Sequence, residues 1–229
     1  MSGHAYGAQA VRQRRPVMHP RWSGPAGAMS VAALCVVALA LVWTLAALVP
    51  SSHLKDAVVL HDFTRLYTPR IDRDGKFLLH LLDPVLFILW GLALVAVALA
   101  RSRPRVALAV VAIMGLAPLT SETLKPLLAH GHASFDGTYI GPASWPSGHA
   151  TAALALVLSA VLVSSPRLRL LVAPLGALFA GAVGCALLIL EWHMPSDVLG
   201  GFLVATLWTA LAVTAVRVSE RRRPSRGSA

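Results

Sequence analysis

The chain has 229 residues, 56% of them hydrophobic and 13% charged, with a mean hydropathy of +0.68. That composition lies outside the range of water-soluble domains and makes the bilayer the solvent. The formal net charge of +10 sits on loop and tail residues, with no basic domain or motif, so it is assigned to membrane topology and anionic headgroups and a nucleic-acid role is excluded.

In chain order, apolar stretches recur at Ala28–Val49, Leu78–Ala100, Val106–Leu124, Ser147–Val163, Leu170–Leu190 and Val198–Val216. Most approach the roughly 20 residues that a spanning helix needs. They predict an all-α polytopic integral membrane protein: a six-transmembrane-helix bundle over 28–216, a mobile tail over 1–27 and a basic tail over 217–229. The third and fourth stretches are short and polar at one end, so a five-span or re-entrant arrangement is the alternative. Arg12, Arg14, Arg15 and Arg21 precede the first stretch, as in a secretory signal. About 22 apolar residues exceed a signal core of roughly 7–15, however, so an uncleaved first helix is expected.

With alternating spans, 14 of the 20 Lys and Arg fall on the side of the termini, in the two tails, at Arg101, Arg103 and Arg105, and at Arg167 and Arg169. This predicts a plasma-membrane protein with both termini cytoplasmic. The long outer segment Ser51–Lys76 mixes apolar residues with charges and reads as an amphipathic helix along the interface. Short inner connections force neighbouring spans to pack antiparallel. Cys35 and Cys185 lie in apolar stretches without metal-ligand spacing and read as buried small hydrophobes; Trp145 and Trp192 read as interfacial anchors.

Polar residues gather on the outer side in three places: Glu122, Lys125, His130 and His132; Pro146-Ser147-Gly148-His149; and Glu191, His193 and Asp197. Ionisable residues at span ends are costly unless paired or functional. Pro146 to His149 precede an apolar run and read as a helix start, with Ser147 as the capping side chain and Gly148 allowing close backbone approach. The free N–H groups and dipole of such a start suit a phosphate, with His149 one turn away as a general acid. His193 and Asp197 are four apart, so Asp197 can accept from one imidazole nitrogen and leave the other as nucleophile. Lys125 supplies a cation for phosphoryl oxygens.

Pro-Ser-Gly-His at 146–149, then His193-Met-Pro-Ser-Asp197-Val-Leu-Gly-Gly, with Lys125 upstream, resembles the signature of the type 2 phosphatidic acid phosphatase family over about 78–216. The resemblance implies a metal-free hydrolase of a lipid phosphomonoester or pyrophosphate, with no cofactor. Lys125, Ser147 and Gly148 would hold the phosphate, His149 would protonate the leaving group, and His193, supported by Asp197, would form a phosphohistidine. The substrate would be a polyprenyl pyrophosphate or a phosphatidic-acid-like lipid taken from the bilayer at the outer face.

Two positions depart from the pattern K-x6-R-P, P-S-G-H, S-R-x5-H-x3-D. His132-Ala133 stands where the family has Arg-Pro, and Ala186-Leu187 where it has Ser-Arg. An arginine fork gives bidentate, permanently charged contacts that His and Leu do not. His132 is a candidate phosphate contact, and Arg65, Arg70 or Arg73 are candidate substitutes. Glu191 is expected to pair with a neighbouring His or Arg, and His80 with Asp83 either joins two helices or lines the cleft. The rival reading is a catalytically impaired relative that binds a lipid phosphate or a membrane partner. A small transporter is the third, disfavoured by the absence of repeats.

Overall fold

The computed structural model describes residues 24–132 and 139–222, and among them it is helical, without strands. Its helices are α1 (Pro25–Leu48), α2 (Pro50–Thr64), α3 (Pro69–His80), α4 (Pro84–Ala100), α5 (Pro104–Leu127), α6 (Gly148–Val163), α7 (Pro166–Ile189) and α8 (Pro195–Arg222). Seven of the eight open on a proline, whose fixed φ suits a first turn and whose missing N–H would have had no intrahelical acceptor there. The exception, α6, is capped instead by Ser147, whose hydroxyl accepts from the Ala150 N–H at 3.3 Å.

Four helices, α1, α5, α7 and α8, are long and apolar enough to cross a membrane. The predicted second span is broken: α3 and α4 meet at a 53° bend and qualify only as a pair, which gives up to five spans. Asp83 followed by Pro84 accounts for the break, because the residue before proline is driven out of the helical region. Helix α6 is apolar but has 16 residues, fewer than a lipid-facing span needs. It is enclosed by α4, α5, α7 and α8, so much of its length is solvated by protein rather than lipid. The outer segment holds two helices, α2 and α3, not one. Helix α8 continues to Arg222, so residues 217–222 of the expected tail are helical. Helix α1 starts at Pro25, so residues 25–27 of the other expected tail are helical too; residues 1–23 and 223–229, including Arg12, Arg14, Arg15, Arg21, Arg223 and Arg226, lie outside the described residues.

Helix α8 packs on α1, α5 and α6, and α6 in turn on α7. One core joins α2 and α3 to α6, α7 and α8 through Leu60, Leu79, Ala153, Val183 and Leu187; a second joins α5, α6 and α8 through Ile113, Ala117, Ala155 and Val204. The outward faces of α5 and α7 carry Leu108, Leu170 and Leu178, each at least 70% exposed. Such continuous apolar exposure is what a hydrocarbon solvent requires. Cys35 is buried on α1, whereas Cys185 is exposed on α7, which corrects the expectation that both are buried.

Candidate active site

Three chain segments meet at one end of the bundle: the end of α5, the start of α6 and the start of α8. The α6 and α8 starts are tied by backbone, the Ser147 N–H donating to the Asp197 carbonyl at 2.9 Å. They approach this closely because α8 presents Gly200 and Gly201. A Cβ at Gly201 would stand 2.5 Å from the Ser147 carbonyl oxygen, and one at Gly200 would stand 2.7 Å from Trp145 Nε1. On the other side, the buried Ser121 hydroxyl of α5 donates to the Pro146 carbonyl at 2.9 Å. The Pro-Ser-Gly-His turn is therefore clamped between α5 and α8.

At the start of α8, Asp197 Oδ2 accepts from the Met194 N–H at 3.0 Å and lies 3.3 Å from His193 Nδ1. Asp197 is fully buried, and the His193 side chain is 12% exposed. A carboxylate on Nδ1 holds that nitrogen as N–H and leaves Nε2 with its lone pair. The second Asp197 oxygen, Oδ1, is buried without a hydrogen-bond partner among the described residues. A buried acceptor left open is costly.

Lys125 approaches from α5. Its Nζ would lie 3.5 Å from a Cβ at Gly148, and Glu122 Oε1 would lie 2.7 Å from the same point. Lys125 and Glu122 are themselves paired at 2.6 Å. The space over Gly148 thus already holds an anion, the protein's own carboxylate. His149 packs its ring edgewise on Trp192 with centroids 5.8 Å apart, and the charges of His193, Asp83, Lys125 and Glu122 all act on it.

His132 joins this region from the α5–α6 connection. Its Nε2 is 2.9 Å from the Ser144 hydroxyl, and its ring lies 4.8 Å from that of His130. Burial pushes the His132 imidazole below its ordinary value, while the Asp197 carboxylate pulls it the other way.

Helix α2 reaches the same place. Asp56 accepts from the Ser196 N–H at 3.1 Å and the Ser196 hydroxyl at 2.6 Å, capping α8 from outside its own chain segment. Burial pushes the Asp56 carboxyl above its ordinary value despite these bonds. His53, one turn earlier, acts on both Asp56 and His132. Sequence reasoning missed Ser121, Ser144, Ser196, His53 and Asp56. The one available signal was a carboxylate one position from Ala57 and four from Leu60, on the side of α2 that is buried.

The candidate arginines are elsewhere. Arg65 pairs with Asp62, and Arg70 and Arg73 pair with Asp74; their side chains are 72%, 85% and 77% exposed. Glu191 is exposed at a positive φ of 56° and forms no ion pair among the described residues, contrary to expectation. His80 pairs with Asp83 at 2.8 Å across the α3–α4 break, so it is a local contact within one bent pair.

A family model described as the PAP2 superfamily matches residues 105–221, which is half of the chain and contains every segment of the site contributed by α5, α6 and α8. The chain belongs to the PAP2 superfamily. Its fold is also that of a solved structure, the first transmembrane PAP2 type phosphatidylglycerolphosphate phosphatase from Bacillus subtilis. The two share 18% identity and a TM-score of 0.63 over 89% of this chain and 98% of the other. No curated protein matches the sequence.

Within this PAP2 chain the S-R position is filled by core. Leu187 is fully buried beside Leu79, Val183 and Met194, and its carbonyl accepts from the Trp192 N–H at 2.9 Å. No guanidinium fits there without taking the core apart. The other pattern arginine coincides with His132, which does lie within the field of Asp197.

Proposed function

We propose that this protein hydrolyses the phosphomonoester or pyrophosphate of a membrane lipid through a phosphohistidine. The observation that carries the proposal is the joint at the two helix starts: the His193–Asp197 pair is bonded by backbone to the Ser147 N–H beside Gly148, His149 and Lys125. In this reading six spans cross a plasma membrane, the termini are cytoplasmic, and the site opens on the opposite face.

The phosphoryl group sits over Gly148 at the first turn of α6, where free N–H groups and the helix dipole favour an anion. Lys125 exchanges Glu122 for a phosphoryl oxygen. His193 Nε2 attacks phosphorus, and a P–N bond forms as the P–O bond to the lipid or lipid phosphate breaks. Asp197 holds the Nδ1 proton and stabilises the imidazolium. His149 gives a proton to the leaving oxygen, then takes one from the water that splits the phosphohistidine. These steps use the chain's own residues throughout. Phosphatidylglycerol phosphate joins polyprenyl pyrophosphate and phosphatidic acid as a candidate, because the B. subtilis neighbour is named for it.

The test is phosphate release by the purified protein from that panel, with chelator present and with His193→Ala alongside, together with trapping of the acid-labile phosphoenzyme. Chelator-resistant turnover lost in the variant supports the reading. The second reading, a lipid-phosphate binder without turnover, is favoured by Leu187 in the core and by the outward pairing of Arg65, Arg70 and Arg73. Retained lipid binding with no turnover above His193→Ala would establish it.

A further inference from the structure

At the end of the bundle opposite this site, α6 stops at Val163 and its last carbonyls need donors. Arginines from two neighbouring segments supply them. Arg169 donates through Nε to the Val161 carbonyl at 3.0 Å and through Nη2 to Leu162 at 3.3 Å; Arg101 donates to Val163 at 3.2 Å. Arg103 reaches the Leu162 and Val163 carbonyls only at 3.5 Å each. Arg217 of α8 bonds none of them and instead donates to the Gly24 carbonyl at the start of α1, at 3.0 Å.

Arg103, Arg169 and Arg217 line one cavity of about 310 Å³ between α5, α6, α7 and α8. All three are half-buried. Glu220 is the one carboxylate in the lining, and it makes no ion pair with any of them among the described residues. The remaining wall is apolar, formed by residues such as Val106, Leu158 and Val213.

Helix capping explains Arg101 and Arg169 and leaves Arg103 and Arg217 in excess. A guanidinium carries five N–H donors, and the bonds seen use one or two of each. Three like charges drawn together in a partly dry cavity repel one another unless an anion joins them. A cationic floor with an apolar wall fits an amphiphile with an anionic head.

We propose that this cavity is a second phospholipid site, separate from the His193 site, which takes the phosphate headgroup of an anionic lipid from the leaflet on that side. The phosphate bonds the spare donors of Arg103, Arg169 and Arg217, and an acyl chain follows Val106, Leu158 and Val213. Nothing in this site needs the lipid to be hydrolysed, and a phosphodiester is as good a ligand as a monoester.

The experiment uses the full chain in detergent carrying His193→Ala, so that binding is read without turnover. Thermal shift and native mass spectrometry are run with phosphatidylglycerol, phosphatidylcholine and inorganic phosphate. Two variants are compared: Arg217→Gln, which leaves the α6 carbonyls capped, and Val213→Phe, which fills the cavity and leaves every arginine in place. Phosphatidylglycerol should bind and stabilise, phosphatidylcholine and inorganic phosphate should do neither at the same concentration, and the affinity should fall about fivefold in Arg217→Gln and return in Arg217→Lys. Val213→Phe should lose the bound lipid while melting normally without it. Equal binding of the two lipids, equal protection by inorganic phosphate, or unchanged affinity in Arg217→Gln would each overturn the proposal, and the last decides the matter even if Val213→Phe does not fold.

Discussion

Gly201→Ala is the most exacting test of how the site is assembled, because the added methyl has nowhere to go. It would stand 2.5 Å from the Ser147 carbonyl oxygen, 2.9 Å from Ala150 Cβ and 3.0 Å from the Thr151 nitrogen. Two of these are backbone atoms of the α6 start, which cannot rotate away. Restoring ordinary contact at 3.4 Å from 2.5 Å requires a retreat of about 0.9 Å between α6 and α8. The Ser147–Asp197 backbone bond, now 2.9 Å, would stretch past the limit of a hydrogen bond. Overpacking costs about 1–3 kcal/mol and a lost hydrogen bond about 1 more, and a displacement near 1 Å between reacting groups costs on the order of 100-fold in rate. Gly184→Ala is the control: its methyl would meet only the Val198 and Phe202 side chains, at 3.2 and 3.5 Å, so a change within about 1 kcal/mol is expected. Thermal unfolding in detergent and phosphate release read the two effects separately. Wild-type stability and turnover in Gly201→Ala would refute the close α6–α8 joint as the basis of the site.

Asp197→Asn keeps the shape beside His193 but removes the charge that fixes its Nδ1 proton, so kcat should fall by on the order of 1,000-fold or more with KM little changed. Glu122→Gln releases Lys125 from the 2.6 Å pair and should lower KM and the inhibition constant of free phosphate, by no more than about fivefold because the pair is partly solvated. Burial, reinforced by His130 and His53, holds His132 below its ordinary value against the pull of Asp197, so a phosphate that needs its proton binds more weakly as pH rises; KM should climb with pH, and His132→Arg, charged throughout, should flatten that climb. Asp56 is raised by burial, so between its unfolded and folded pKa values the folded state holds more protons and stability falls as pH rises; Asp56→Asn should remove that slope from the pH dependence of unfolding.

The long apolar runs were legible because a spanning helix needs a window of hydrophobicity and little else. The break at His80–Pro84 had a signal in Asp83-Pro84, but the run around it hid a bend inside a single hydropathy peak. The catalytic-type cluster was legible for a related reason: His193 with Asp197, and Ser147 with His149, are each spaced within about one helical turn, so their mutual geometry is local. What could not be read is the contact between segments. Asp56 meets Ser196 across 140 residues of sequence, and no periodicity in α2 marks which face of α8 it will cap. The Gly200-Gly201 pair was visible as a motif, yet its purpose, access for the Ser147 carbonyl, exists only once α6 and α8 are side by side.

The electrostatics of the phosphate position bear on which lipid this chain can serve. Among the described site residues Lys125 is the one lysine or arginine, and Glu122 pairs with it. A phosphomonoester dianion bound there would need compensation that Leu187, sealed in the core, does not give. Two sources remain: the free N–H groups at the start of α6, and a proton taken up by His132, whose value burial lowers and which lies within the field of Asp197. Helix N–H donors act without titrating, whereas His132, held low by burial, adds charge only as the ligand arrives and only where pH allows. Replacing arginine by histidine therefore exchanges constant affinity for proton-linked affinity. In the proposed reaction that exchange would let inorganic phosphate go: a proton taken up with the phosphate would leave with it, and Lys125 would pair with Glu122 again.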